Sequence, residues 1–158
     1  MSIQPGDTVP AVRIMQATPE GPQEIDTAEF FRDRKVVLFG VPGAFTPTCS
    51  AKHLPGFVEQ AAQFRAKGAA VVACVAVNDV FVMDAWGKSQ GVTDEVVMLA
   101  DGAGTFIRAL GLEQDLSARG LGVRAQRFAL VAENGVVKHV AVEAPGAFEV
   151  SRADTVLA

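Results

Sequence analysis

The chain has 158 residues, a length typical of one domain with a full hydrophobic core. Hydrophobic residues make up 49% of it and charged residues 20%, which indicates a soluble globular protein and excludes a disordered one. The net charge of -4 argues against nucleic acid and anionic membranes as partners. We therefore expect one domain over residues 1–158.

No targeting or metal-binding segment is evident. The first residues lack the basic and apolar parts of a secretory signal, and the longest apolar run, residues 69–77, is too short to span a membrane. Two cysteines do not make a disulfide scaffold, so a reducing compartment such as the cytoplasm is expected. Without Cys/His metal spacing, we expect no metal and no cofactor.

The N-terminal third predicts a hairpin, a short helix and a buried strand. Val9, Val12 and Ile14 precede the turn residues 18–22, and Glu24-Ile25 could form the return strand. Asp26 to Glu29 has the form of a capping box that opens a short helix. The β-branched and apolar run of residues 35–41 then predicts a buried strand.

A thiol follows that strand, at the start of a helix. Thr46 is in position to be the N-cap and Pro47 the first helical residue, which places Cys49 third in the helix. Backbone N–H groups without helical partners and the positive end of the helix dipole lie there. Cysteine pKa values at such positions fall from about 8.5 to roughly 3.5–7.5, so Cys49 is a candidate thiolate.

The helix that carries Cys49 should run from about residue 48 to Lys67 and be distorted early. Pro55 removes one backbone hydrogen bond and crowds the preceding turn, which predicts a kink near Ser50–Leu54. Such a kink would partly uncouple the turn bearing Cys49 and ease its local unfolding.

The remainder of the chain alternates between strands and helices. In order, we expect a strand at 69–77, a helix at 80–89, a strand at 96–100, a short helix at 106–110, an irregular segment at 111–126, strands at 128–132 and 136–142, and a helix at 148–157. The Asn134-Gly135 pair predicts a tight hairpin between the last two strands. This order indicates an α/β fold with a central mixed sheet flanked by helices.

The segment from Pro42 to Ser50, Pro-Gly-Ala-Phe-Thr-Pro-Thr-Cys-Ser, resembles the peroxidatic loop of the peroxiredoxins. Its continuation through Phe57 is similar to the peroxiredoxin-5 (type II, atypical) branch, and the likeness extends from about Pro5 to Val142. It implies a thioredoxin-like fold and a peroxidase whose Cys49 thiolate attacks peroxide. In this resemblance Thr46 binds the peroxide and Pro42 shields the sulfur.

Two arginines compete to complete the site. Arg127 matches the arginine of the family, and Arg124 lies three residues earlier. Without the resemblance, each would be read as a solvated surface residue, and Thr46 and Pro42 as a helix cap and a strand terminator. His53, one helical turn after Cys49, could form a Cys–His pair, but a surface or interface histidine is favoured, and His139 is expected to be exposed on the hairpin.

The resemblance also leaves the recycling step open. Many members of this branch carry a second cysteine near residues 148–151, where this chain has none. We therefore expect one catalytic cysteine, recycled by an external thiol, either glutathione with glutaredoxin or thioredoxin. Cys74, in an apolar run, is a possible resolving cysteine or an inert core residue.

Two other functions would also depend on the Cys49 thiol. A peroxide-sensing signalling protein would be oxidised once and pass the signal to a partner, and a thiol hydrolase would be acylated at Cys49. An apolar patch including Phe45 and Phe81 leads us to expect a homodimer, as in the peroxiredoxin-5 branch.

Overall fold

The computed structural model describes residues 2–157. The strands are β1 (Arg13–Thr18), β2 (Gly21–Asp26), β3 (Lys35–Gly40), β4 (Val71–Ala76), β5 (Val97–Ala100), β6 (Glu113–Asp115), β7 (Val123–Ala125), β8 (Phe128–Glu133) and β9 (Val136–Val142). The α-helices are α1 (Thr27–Phe31), α2 (Leu54–Ala66), α3 (Val80–Ser89), α4 (Thr105–Leu110) and α5 (Ala153–Leu157), with a π-helical turn at Cys49–His53 and a 3-10 turn at Ser117–Arg119. None of the helices within residues 2–157 is long and apolar enough to cross a membrane.

A mixed sheet of seven strands, in the order β2-β1-β5-β4-β3-β8-β9, forms the centre of the molecule. Strands β3, β4 and β5 are parallel and joined through α2 and α3, while the outer pairs are antiparallel. The predicted α/β architecture with a mixed central sheet is confirmed.

Helices cover both faces of the sheet because the central strands are apolar on both sides. Alternate residues of β3 and β4 enter two separate cores. Phenylalanines of α1 and α4 fill the first core, and side chains of α2, α3 and α5 fill the second, which also contains Cys49 and Cys74. A continuous apolar run is what a strand buried on both faces requires.

The hairpin of β8 and β9 brings distant residues to one end of β3. Asn134 and Gly135 both have positive φ, 48° and 76°, as a two-residue hairpin turn requires. In the antiparallel register Gly40 pairs with Phe128. A Cβ on Gly40 would lie 2.0 Å from the Phe128 ring, so glycine is needed at the end of β3.

Two expectations were wrong in detail. Residues 111–126 are not simply irregular, because β6 and β7 form a small antiparallel sheet there. Strands of three residues are too short to produce a periodic pattern. The final helix is α5 alone, and residues 149–152 form bends, held by the contacts of Ser151 described below.

Candidate active site

The loop that carries Cys49 leaves the carboxyl end of β3 and is anchored to the end of β4. The Val41 N–H donates to the Val75 carbonyl at 3.1 Å, and the Ala44 N–H donates to Asn78 Oδ1 at 2.9 Å. The next residue, Asp79, caps α3 by accepting from the Val82 N–H at 2.8 Å. Asn78 and Asp79 therefore link the loop to the start of α3.

Thr46 begins the helical segment, but its side chain is not the cap that was predicted. Its carbonyl accepts from the Ser50 N–H at 2.9 Å, and Pro47 is the first helical residue, as expected. The Thr46 hydroxyl instead donates to the Gly43 carbonyl at 2.7 Å. The tight turn of residues 43–46 brings that carbonyl within reach, and the N-cap bond was wrong for this reason.

The predicted distortion near Ser50–Leu54 is present and takes the form of a π-helical turn. The Leu54 N–H reaches back five residues to the Cys49 carbonyl. Pro55, at the start of α2, has no N–H with which to continue the regular pattern. Trp86 of α3 supports this turn by donating from Nε1 to the Ser50 hydroxyl at 3.0 Å.

Arg127 lies against the sulfur of Cys49. Its Nη2 donates to Sγ at 3.1 Å, and Cys49 has 0% exposure. Arg127 immediately precedes β8, whose first residue pairs with the last of β3, so the register delivers the guanidinium to the loop. Arg124 contacts the Pro42 carbonyl at 3.2 Å and the Leu121 carbonyl at 2.8 Å instead.

His53 is buried, so the expectation of a surface or interface histidine was wrong. Its side chain packs against Phe39, Phe57 and Phe148 and has 0% exposure. His139, by contrast, is exposed on β9 as predicted.

The hydrogen bonds of His53 define its protonation state. Arg127 Nη1 lies 2.9 Å from Nδ1, and arginine can only donate, so Nδ1 is an acceptor. Nε2 lies 3.0 Å from the Ser151 carbonyl and therefore carries the proton that it donates. Burial and the charge of Arg127 lower the pKa of His53 to about 3, consistent with a neutral ring. Both nitrogens are engaged away from the sulfur, which argues against a Cys–His pair.

Glu143 holds the backbone that His53 contacts. One carboxylate oxygen, Oε2, accepts from the N–H and the hydroxyl of Ser151 at 2.8 Å and 2.7 Å, and from the Glu149 N–H at 2.7 Å. Burial raises the pKa of Glu143, but these hydrogen bonds outweigh it and lower the pKa overall. The Glu143 N–H also donates to the Arg127 carbonyl at 2.9 Å.

Sequence reasoning missed the roles of His53, Glu143 and Ser151 in this network. A buried partner for Arg127 could have been sought, but no local pattern marks these residues. His53 precedes Pro55, Glu143 follows a strand, and Ser151 lies in a segment read as helix.

A cleft of about 640 Å³ opens beside the loop that carries Cys49. Its lining includes three of the residues singled out from the sequence, Pro42, Thr46 and Arg127, together with Glu143 and residues 144–147. Cys49 itself is buried, and it is linked to the cleft through Arg127, which both lines the cleft and contacts the sulfur. Within residues 2–157, no group of three or more His, Cys, Asp or Glu side chains is arranged to hold a metal ion.

Cys74 lies in the middle of β4 with 0% exposure. Burial first, and then the neighbouring Cys49, raise the pKa of its thiol well above the usual range. A thiol that stays protonated is a poor nucleophile. In the folded chain Cys74 therefore has the character of a core residue, although it belongs to the same core cluster as Cys49.

Comparison with known proteins shows the family of this chain. The family model described as Redoxin matches residues 4–157. Peroxiredoxin-2E, chloroplastic, of Arabidopsis thaliana is 46% identical over 99% of this chain and 68% of its own length. This chain belongs to the peroxiredoxin family.

Solved peroxiredoxins have the same fold. A reduced Prx3 from Vibrio vulnificus in complex with hydrogen peroxide is 50% identical, with a TM-score of 0.94 over 98% of this chain and 97% of that one. The Plasmodium falciparum antioxidant protein, a 1-Cys peroxiredoxin, is 28% identical, with a TM-score of 0.93 over 98% and 96% of the two chains. The thioredoxin-like fold is thereby confirmed, and this peroxiredoxin is an enzyme, a thiol peroxidase.

Proposed function

We propose that Cys49 is the peroxidatic cysteine and that it reduces hydrogen peroxide and alkyl hydroperoxides. The observation that carries this proposal is the contact of 3.1 Å between Cys49 Sγ and Nη2 of Arg127, a residue that lines the cleft. A guanidinium so placed stabilises a thiolate, which is the nucleophilic form of cysteine. None of the ion pairs found among residues 2–157 involves Arg127, so a carboxylate does not compete for it.

The chemistry requires an electrophilic oxygen and a stabilised leaving group. The thiolate attacks one peroxide oxygen, an S–O bond forms as the O–O bond breaks, and the sulfur loses two electrons to become a sulfenic acid. The departing oxygen gains the electron pair and a proton and leaves as water or an alcohol. Arg127 has further N–H donors that can stabilise the developing negative charge, and the Thr46 hydroxyl at the cleft can hold the peroxide.

The shielding role proposed for Pro42 has structural support. Pro42 is half-buried, lines the cleft and has its carbonyl held by Arg124 at 3.2 Å. A rigid ring without an N–H at this point limits the water that reaches the sulfur. With less water, the charges of Arg127 and of the thiolate interact more strongly.

For recycling, we propose that an external thiol reduces the sulfenic acid, supplied by glutathione with glutaredoxin or by thioredoxin. The relative from Plasmodium falciparum is a 1-Cys peroxiredoxin, which supports a one-cysteine cycle. The burial of Cys74 and the raised pKa of its thiol also favour it over an internal disulfide. The cytoplasm stays our proposed location, chosen because free thiols require a reducing compartment.

Turnover of peroxide by the parent chain, Cys49→Ser and Cys74→Ser, each with both reductant systems, tests these proposals. We expect Cys49→Ser to lose catalytic consumption of peroxide and Cys74→Ser to keep it. Peroxidase activity in Cys49→Ser would overturn the assignment of the nucleophile. If Cys74→Ser failed with every reductant yet still formed the sulfenic acid, the internal cycle with Cys74 would replace the one-cysteine cycle.

A further inference from the structure

We propose that His53 is a positioning residue whose neutral ring holds the Arg127 guanidinium against the Cys49 sulfur without compensating its positive charge. This inference rests on the proposed function of Cys49 and assigns a role to a residue outside the peroxidatic loop.

The geometry of Arg127 shows why an anchor matters. Nη1 donates to His53 Nδ1 at 2.9 Å, and Nη2 of the same planar group donates to Cys49 Sγ at 3.1 Å. Two contacts on one rigid plane fix both its position and its tilt. An arginine side chain has several rotatable bonds, so a single contact would leave the guanidinium free to swing toward the open cleft.

Because the His53 ring is neutral, it leaves the attraction between Arg127 and the Cys49 thiolate at full strength. A carboxylate could orient the guanidinium equally well, but its negative charge would weaken the attraction between Arg127 and the thiolate. His53 accepts a hydrogen bond without adding charge. The nearest carboxylate of the network, Glu143, directs its Oε2 to Ser151 and the Glu149 N–H rather than to Arg127.

His53 is itself held in the orientation that this task requires. Its Nε2–H donates to the Ser151 carbonyl at 3.0 Å, which leaves Nδ1 as the acceptor. Its ring centroid lies 4.9 Å from that of Phe39 and 5.2 Å from that of Phe148. Glu143 in turn fixes Ser151, so a continuous set of hydrogen bonds runs from Cys49 to Glu143.

Two amide substitutions separate the two nitrogens of the ring. The amide of asparagine reaches roughly the position of Nδ1, and that of glutamine the position of Nε2. His53→Asn therefore keeps an acceptor for Arg127, while His53→Gln keeps only the contact with Ser151. We expect His53→Asn to retain the rate constant for oxidation of Cys49 by hydrogen peroxide within about tenfold, and His53→Gln to lose about 10²-fold.

The single tryptophan, Trp86, provides the readout, because it contacts Ser50 next to Cys49 and its fluorescence should change on oxidation. The same two substitutions at the exposed His139 are the matched controls and should leave the rate constant unchanged. Equal rates for His53→Asn and His53→Gln would overturn the inference while leaving the assignment of Cys49 intact, since that assignment depends on Cys49→Ser.

Two further experiments test the charge at position 53 and the coupling between His53 and Arg127. His53→Asp should orient Arg127 but lower the thiolate fraction at neutral pH, which is measured as slower alkylation of Cys49 than in His53→Asn. In an Arg127→Gln background, His53→Gln should cause no further loss of rate, because the two residues would act as one unit. Full additivity of the two losses would show that His53 does not act through Arg127.

A measurement on an intact site covers the case in which His53 variants do not fold. In His139→Asn the only imidazole is His53, so its nitrogen chemical shifts can be assigned without ambiguity. A neutral ring protonated at Nε2 supports the inference. A ring protonated at Nδ1, or a cation at neutral pH, could not accept from Arg127 and would overturn it.

Discussion

Arg127 and Cys49 are 78 positions apart in the chain, yet the guanidinium of one contacts the sulfur of the other. Arg124 was the alternative in the sequence, and in the structure the two half-buried arginines differ in their contacts. Arg124 donates to the Pro42 carbonyl, whereas Arg127 lines the cleft and contacts His53. Proximity to the thiolate, rather than charge alone, is what separates their expected effects.

Arg127→Gln should lower the rate constant for oxidation of Cys49 by about 10²–10³-fold, the loss seen when one preorganised donor to a developing charge is removed. Arg124→Gln should lower it by less than about tenfold, because Arg124 acts only through the loop. Stopped-flow mixing with hydrogen peroxide measures both. The opposite ranking of the two variants would assign the role to Arg124.

His53 should make the stability of the protein depend on pH. Its pKa is about 3 in the folded chain, below the usual value of 6.5, so the unfolded chain binds the extra proton between these limits. The free energy of unfolding should therefore fall as the pH decreases through this window, by at most about 1.4 kcal/mol per pH unit.

Denaturant unfolding at about pH 7 and about pH 5 measures this effect, in a range where most carboxylates stay ionised. His53→Asn should lose most of the difference between the two conditions, and His139→Asn should retain it. A difference that persists in His53→Asn would have to come from another group.

The π-helical turn is the element on which access to the sulfur depends. Its first and last residues, Cys49 and His53, both contact the guanidinium of Arg127. Pro55 follows two residues after the turn and prevents regular hydrogen bonding between the turn and α2. Since Cys49 is fully buried, a bulky reductant needs this turn to open, and the weak junction lowers the cost of opening.

Pro55→Ala should slow that opening, because alanine restores an N–H donor and favours a helix. We expect slower amide hydrogen exchange over residues 49–54 and slower reduction of the sulfenic acid, with initial oxidation by hydrogen peroxide little changed. Pro19→Ala, in the exposed turn between β1 and β2, is the control. Unchanged exchange in Pro55→Ala would show that the proline does not weaken the turn.

On the surface of the whole molecule, two aromatic rings stand out near the site. Phe45 is 55% exposed and Phe81 72% exposed. The backbone of Phe45 has a φ of 66°, a strained conformation for a bulky residue, which the loop imposes. Exposed aromatic residues of this kind favour association, and the expected homodimer stays a prediction.

Phe81→Asp should convert such a dimer to monomers, because it places a charge in a contact that becomes desolvated. Sedimentation equilibrium measures the association. Gln63→Asp adds the same charge at an exposed position of α2 and should leave the association unchanged. A parent chain that sediments as a monomer at all concentrations tested would contradict the prediction.

Much of the fold was readable from local patterns. Apolar runs marked the buried strands β3 and β4, the Asn134-Gly135 pair marked the hairpin, and Pro55 marked the distorted turn. The short strands β6 and β7 and the bends of residues 149–152 were not readable. Pairing between the two strands and the contact of Ser151 with Glu143 stabilise them. The likeness of the loop to the peroxiredoxins was local as well, because the loop is one continuous segment.

The partners of the sulfur depend on pairing between distant strands. The sequence named Arg127 only through its resemblance to a family, and the register of β8 against β3 explains why that arginine reaches the loop. His53 was expected at the surface, but it packs against Phe57, four residues later, and is buried with it. Glu143 and Ser151 carried no local signal. The residues next to Cys49 in the sequence indicate a reactive thiol. The groups that surround the sulfur depend on strand register and helix geometry, which a short stretch of sequence does not specify.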